Sequence, residues 1–93
     1  MADFLLIHGA WHGAWCWSRT IADLQKSGHR ARAIDLPAQG SDQTPVANLR
    51  LQHWIDRVVD ELHRFDSPPV LVGHSMAGMV ITGALDAVPE RVA

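Results

Sequence analysis

Apolar and polar residues come in blocks along this chain, and the spacing within each block predicts an element. Phe4-Leu5-Leu6-Ile7 is an unbroken apolar run that stops at His8-Gly9. Such a run, bounded by glycine, suits a strand buried on both faces of a parallel sheet. Trp17, Ile21 and Leu24 recur at helical spacing, which predicts a helix from about Trp15 to Ser27 with Gly28 as its stop. Arg30 to Leu36 reads as a second strand, ended by Pro37. Its alternation of Arg with Ala places it nearer an edge. Pro37 to Ala47 is rich in turn formers and reads as a loop. Asn48 is in position to cap a helix from about Leu49 to Phe65. There Leu51, Trp54, Ile55, Val58, Leu62 and Phe65 form one stripe, with Asp56, Arg57, Asp60, Glu61 and Arg64 largely opposite. Ser67-Pro68-Pro69 breaks that helix. Val70-Leu71-Val72 is the third strand, and Met76 to about Ala87 the third helix, stopped before Pro89.

The order β-α-β-α-β-α implies an α/β fold with a parallel sheet and right-handed crossovers. Three strands are few for an independent sheet, and Val70–Val72 is too apolar for an exposed edge. Glu90-Arg91-Val92-Ala93 leads out of the last helix as if another strand were to follow. The expectation is that residues 1–93 are the N-terminal part of one domain of roughly 200–250 residues.

Composition narrows the partners. The net charge is −2 and the signs are interspersed, which offers no basic surface for nucleic acid and none for an anionic membrane. The Phe4–Ile7 run is too short for a membrane span. Cys16 is the sole cysteine, so no internal disulfide forms and a reducing, cytoplasmic setting is the default.

The chemistry centres on Val70-Leu71-Val72-Gly73-His74-Ser75-Met76-Ala77-Gly78. A serine hydroxyl becomes a nucleophile when the fold exposes it and a base takes its proton. A sharp strand-to-helix corner does the exposing, and it needs small residues two before and two after the serine. Gly73 and Ala77 hold those positions. The tetrahedral intermediate of acyl transfer then needs two preorganised N–H donors. One follows the nucleophile directly, at Met76. The other belongs to a loop at the carboxyl end of an adjacent strand, where His8-Gly9-Ala10 lies.

The run His8-Gly9-Ala10-Trp11-His12-Gly13-Ala14-Trp15-Cys16-Trp17, with Asp35-Leu36-Pro37, Gly40-Ser41-Asp42 and Gly73-His74-Ser75-Met76, resembles the small α/β-hydrolases. That group includes plant methylesterases of the salicylate-binding type, hydroxynitrile lyases and related bacterial esterases. The resemblance covers essentially the whole chain. It departs at Ala77, where the elbow motif has a second glycine, and at Pro37-Ala38-Gln39-Gly40, where the family usually has Pro-Gly-His-Gly. It implies a three-layer α/β-hydrolase sheet, Ser75 as nucleophile, the N–H groups of Ala10 and Met76 as oxyanion hole, and a small ester as substrate. It implies no cofactor.

The same resemblance puts the catalytic acid and histidine after later strands. Only Asp86 and Glu90 follow Ser75 here, and no histidine does, so both partners are expected outside this chain. His8 reads as a residue that shapes its loop, His74 as an elbow residue pointing away from Ser75, and His12 as a candidate to line a pocket. His29, His53 and His63 read as surface or helix-flank residues. His8 and His12 are four apart, but Gly9 argues against the helix a zinc pair needs, so no metal is expected. No glycine pattern for a nucleotide follows the first strand. Asp35 reads as holding its own turn. Trp11, Trp15 and Trp17 read as core packing, with Trp11 also a candidate for the wall of an acyl pocket. Two further readings stay open: a hydroxynitrile lyase, for which the only lysine, Lys26, decides nothing, and a non-catalytic ligand-binding protein on the same fold. An open sheet edge would also allow a homo-oligomer.

Overall fold

The computed structural model describes residues 1–93. Its sheet has three parallel strands, β1 (Asp3–Ile7), β2 (Arg30–Ile34) and β3 (Val70–Gly73), in the order β2-β1-β3. The most apolar strand, β1, is the central one. Ile7 at its end faces Ile34 on one side and Gly73 on the other. This register brings the three strands to their carboxyl ends together. The step from β1 to β2 runs one way across the sheet and the step from β2 to β3 runs the other. Right-handed crossovers therefore put their helices on opposite faces.

One face carries the main core. Leu5 and Ile7 of β1 meet Ile55, Val58 and Leu62 of α2 (Leu51–Leu62) and Ala77, Val80 and Ala84 of α3 (Ala77–Ala87). Leu6 points the other way and is also buried, on the face where a 3-10 turn (Ala14–Trp17) packs on β1 and α1 (Ser18–Lys26) packs on β2. Helices α2 and α3 approach closely at Gly83, where an added Cβ would overlap Ile55 Cδ1.

Each predicted element is present, with shifted ends. The first helix begins at Ser18 rather than about Trp15, because the preceding residues close a tighter 3-10 turn. It ends where Gly28 was expected to stop it. Gly28 takes φ +85°, its N–H donates to the Gln25 carbonyl and the His29 N–H to the Leu24 carbonyl. That is a Schellman ending, which the left-handed glycine permits.

The second helix begins at Leu51 rather than about Leu49, and Asn48 is not its cap. Asn48 sits at φ +65° in the loop, and the cap is made from inside the helix. His53 Nδ1 accepts the Arg50 N–H at 2.9 Å, the reach-back of a capping box with histidine in place of glutamate. The stripe expected to be buried is so at Ile55, Val58 and Leu62, but Leu51 is exposed.

Glu61 departs further: it was expected on the outer face and is buried. Burial of a carboxylate requires compensation. Here Arg32 of β2 and Arg57 supply it, at 3.0 and 2.9 Å, with Arg64 at 3.6 Å. The arginine alternation in β2 thus does two jobs. It marks the edge strand, as expected, and it neutralises a glutamate that ties α2 to that edge.

In these residues β3 is the other edge, although its apolar run pointed away from such a place. Val92 is extended, and the Ala93 N–H donates to the Pro69 carbonyl at 2.9 Å, at the start of that edge. No helix is long and apolar enough to cross a membrane.

Candidate active site

All three loops that the sequence marks for chemistry leave the same end of the sheet: His8–Gly13 after β1, Asp35–Asp42 after β2 and His74–Met76 after β3. In open parallel sheets, this carboxyl end is where ligands bind.

Ser75 occupies the corner between β3 and α3 at φ +55°. A non-glycine residue in the left-handed region costs on the order of 1–3 kcal/mol, and such residues cluster at functional sites. The corner is built from its two sides. The His74 N–H donates to the Ile7 carbonyl at 3.1 Å, which extends the β1–β3 ladder by one residue. On the far side the Ala77 N–H donates to the His74 carbonyl and the Gly78 N–H to the Ser75 carbonyl, which start the helix at once. Ser75 is left exposed at the apex.

Small residues are needed here, though not at every position the motif marks. A Cβ on Gly73 would lie 3.0 Å from Ile81 and 3.2 Å from the Ala77 carbonyl, so glycine is the fit. Ala77 is fully buried and belongs to the core, so the methyl in place of the motif's second glycine is packed rather than strained. Gly78 has open space around it.

The loop after β1 packs directly on this corner. A Cβ on Gly9 would stand 2.9 Å from His74 Nδ1 and 3.3 Å from Ser75 Cβ. The Gly9–Ala10 peptide therefore lies beside Ser75. The hydrogen bonds of the loops and turns use neither the Ala10 N–H nor the Met76 N–H as a donor.

Histidines hold this loop, and each has a different task. His8 is fully buried. Its Nδ1 lies 2.7 Å from the Gly9 carbonyl and its Nε2 accepts the Leu36 N–H at 3.0 Å. Leu36 N–H can only donate, so Nε2 carries no proton and Nδ1 donates to Gly9. His8 is thus the loop-shaping residue the sequence suggested. His12 lies 2.9 Å from the Ala10 carbonyl through Nδ1, stacks on Trp15 and meets the His74 ring edge-on at 6.1 Å. It lines a small cavity of about 190 Å³ with Cys16, Trp17, Thr20 and His74. None of these rings forms a hydrogen bond with the Ser75 hydroxyl.

Asp35 is the residue that pattern reading undervalued. It does hold its own turn, accepting the Ser41 hydroxyl at 2.7 Å and the Ser41 N–H at 3.3 Å. It also accepts the Ala14 N–H at 2.8 Å, and so ties the β1 loop to the β2 loop. Gly13 and Gly40 leave room for it: a Cβ on either would fall within 2.8 Å of its Oδ1. Desolvation works against the charge on Asp35. The hydrogen bonds from Ala14 and Ser41 outweigh it, and the carboxyl is held below its usual range. Asp42 behaves alike: hydrogen bonds from Thr44 and Ala38 depress its pKa against a smaller cost of burial. The spacing from Asp35 to Ser41 was visible in the sequence, but the bond to Ala14 depends on how the two loops meet.

The tryptophans depart from the expected core. Trp11 is 92% exposed and Trp15 is 64% exposed, while Trp17 is half-buried. Trp11 takes φ +66°, which turns its side chain outward, and its N–H donates to Gln39 Oε1 at 3.2 Å. It stands at the rim of a cleft of about 490 Å³ whose walls include Ala10, Gln39, Val46, Leu49 and Trp54. A second apolar groove of about 350 Å³ shares Val46, Leu49 and Trp54 and continues past Met76 and Met79. Trp54 is fixed between them by its indole N–H, which donates to the Pro37 carbonyl at 2.9 Å.

Residues 4–93 match the model of the Alpha/beta hydrolase family. The chain is 40% identical over 95 residues to a carbendazim hydrolyzing esterase of a Nocardioides species, covering 99% of this chain and 39% of the relative. It is 37% identical over 92 residues to Methylesterase 3 of Arabidopsis thaliana, covering 95% of this chain and 35% of the relative. Among solved structures it superposes on an extracellular α/β-hydrolase from a Paenibacillus species with a TM-score of 0.89 and 32% identity, over 99% of this chain and 38% of that one. The chain thus spans between a third and two fifths of the length of these proteins. The parallel β2-β1-β3 sheet, the left-handed Ser75 corner and a family match across nearly every residue lead to one conclusion: this chain belongs to the α/β hydrolase family.

Proposed function

We propose that this chain is the N-terminal part of a serine esterase acting on small esters. The observation that carries the reading is the packing of the Gly9–Ala10 peptide against an exposed, left-handed Ser75. Ser75 Oγ attacks the ester carbonyl carbon, and its proton passes to a histidine supplied from beyond these residues, oriented by an acid from the same region. The carbonyl oxygen becomes an oxyanion, which accepts from the N–H groups of Ala10 and Met76. Both donors are free of partners in the loop network, so neither must break a bond to take this role. Collapse of the intermediate expels the alcohol, whose oxygen takes the proton back from the histidine, and leaves Ser75 acylated. Water, activated by the same histidine, then releases the acid and restores the serine.

The relatives support the ester class, since their names describe an esterase and a methylesterase. The apolar cleft rimmed by Trp11 supports small, largely apolar substituents on the ester. The experiment is a paired assay of the full-length protein on small aryl and methyl esters and on a cyanohydrin. The esterase reading expects ester hydrolysis that is lost in Ser75→Ala. Cyanide release without ester turnover would move the protein to the lyases, and tight ligand binding without either would make it a binding protein.

A further inference from the structure

We propose that His8 is a positioning residue for the oxyanion hole, acting through the Gly9–Ala10 peptide plane; this rests on the esterase reading above. The carbonyl of Gly9 and the N–H of Ala10 belong to one peptide unit. The chain has no cis peptide bond, so the two groups point in opposite directions. Whatever holds the Gly9 carbonyl therefore aims the Ala10 N–H. Two donors hold it: His8 Nδ1 at 2.7 Å and the His12 N–H at 3.3 Å. The His8 bond is the shorter.

His8 is itself fixed. Its ring is fully buried, and Nε2 is pinned by the N–H of Leu36, in the loop after β2, at 3.0 Å. The aim of Ala10 is thus tied, through one buried ring, to the backbone of the loop that follows β2. A hydrogen bond accepted at the carbonyl also polarises the peptide and strengthens its N–H as a donor. The absence of a Cβ on Gly9 completes the arrangement, because only glycine lets this peptide lie against His74 and Ser75.

Two substitutions divide the two ends of the imidazole. In His8→Asn the side-chain amide nitrogen falls near the place of Nδ1, so the bond to Gly9 survives and the one to Leu36 is lost. In His8→Gln the terminal amide oxygen falls near the place of Nε2, so the bond to Leu36 survives and the one to Gly9 is lost. Both variants lose one buried hydrogen bond, and thermal melts of both report the structural cost. The kinetic readout is phosphonylation of Ser75 in the full-length protein by a p-nitrophenyl phosphonate, split into the inactivation rate and the binding constant.

Loss of an oxyanion donor costs about 10²–10³-fold in rate, so misaiming one is expected to cost about 10- to 100-fold. That loss should fall on the inactivation rate of His8→Gln, with the binding constant nearly unchanged, while His8→Asn stays within about 3-fold of wild type. The independent readout is the Ala10 amide 15N resonance, which responds to the bond at the Gly9 carbonyl whether or not the serine reacts. It should move in His8→Gln and stay in place in His8→Asn. Equal rate losses in the two variants, or an Ala10 resonance unmoved in His8→Gln, would overturn the proposal. A wild-type protein whose Ser75 is never phosphonylated would overturn the esterase reading instead.

Discussion

Gly9 and Ser75 are in such close contact that a methyl group on Gly9 would stand 3.3 Å from Ser75 Cβ. It would also stand 2.9 Å from His74 Nδ1 and 3.1 Å from the His74 carbonyl, one of them a rigid backbone atom. Gly9→Ala must therefore push the β1 loop away from the corner. Overpacking of this kind costs about 1–3 kcal/mol. The larger effect is expected in chemistry, because a displacement near 1 Å can cost about 10²-fold in rate. Urea denaturation together with ester turnover of the full-length protein checks both. A variant with wild-type rate would mean that the loop does not serve the serine.

Ser75 pays for its position with backbone strain, at φ +55°. Glycine visits the left-handed region without the steric cost of a Cβ, about 1–2 kcal/mol, though it loses more entropy on folding. Ser75→Gly is expected to be about 0.5–1 kcal/mol more stable than Ser75→Ala, with both inactive. Differential scanning calorimetry of the pair measures this. A less stable glycine variant would mean that the corner is relaxed.

Asp35 links folding to pH. Its carboxyl is held below the usual range by the bonds from Ala14 and Ser41, so the unfolded chain takes up this proton at a higher pH than the folded one. Its contribution to stability is fully present above the ordinary carboxylate range. It fades as pH falls through that range toward the lower folded value. Asp42 acts in the same direction. Asp35→Asn is expected to lower stability at neutral pH and to flatten the loss between about pH 5 and pH 3. Chemical denaturation across that interval, wild type against variant, tests the link; parallel curves would contradict it.

The fold was largely legible because its signals are local. Phe4–Ile7 and Val70–Val72 are strands by unbroken apolarity, and Gly28 ends α1 through a glycine-dependent turn. The corner at Ser75 was legible because tight turns restrict size at fixed spacing. What the pattern missed was long-range. Glu61 looked exposed by helical phase, yet Arg32 on another element draws it inside. Asn48 looked like a cap, yet His53 does that work from within the helix. Trp11 and Trp15 looked like core, yet a left-handed backbone at Trp11 and a 3-10 turn before α1 turn them out. Asp35 reaches Ala14, 21 residues back along the chain, and no spacing rule announces such a contact.

The central claim is that Ser75 is the nucleophile, and covalent labelling tests it most directly. The full-length protein is treated with a fluorophosphonate, digested and mapped by mass spectrometry. The prediction is one adduct per chain, carried by Ser75, and none in Ser75→Ala. A wild-type protein that stays unlabelled, or a Ser75→Ala variant labelled to the same extent, would contradict it.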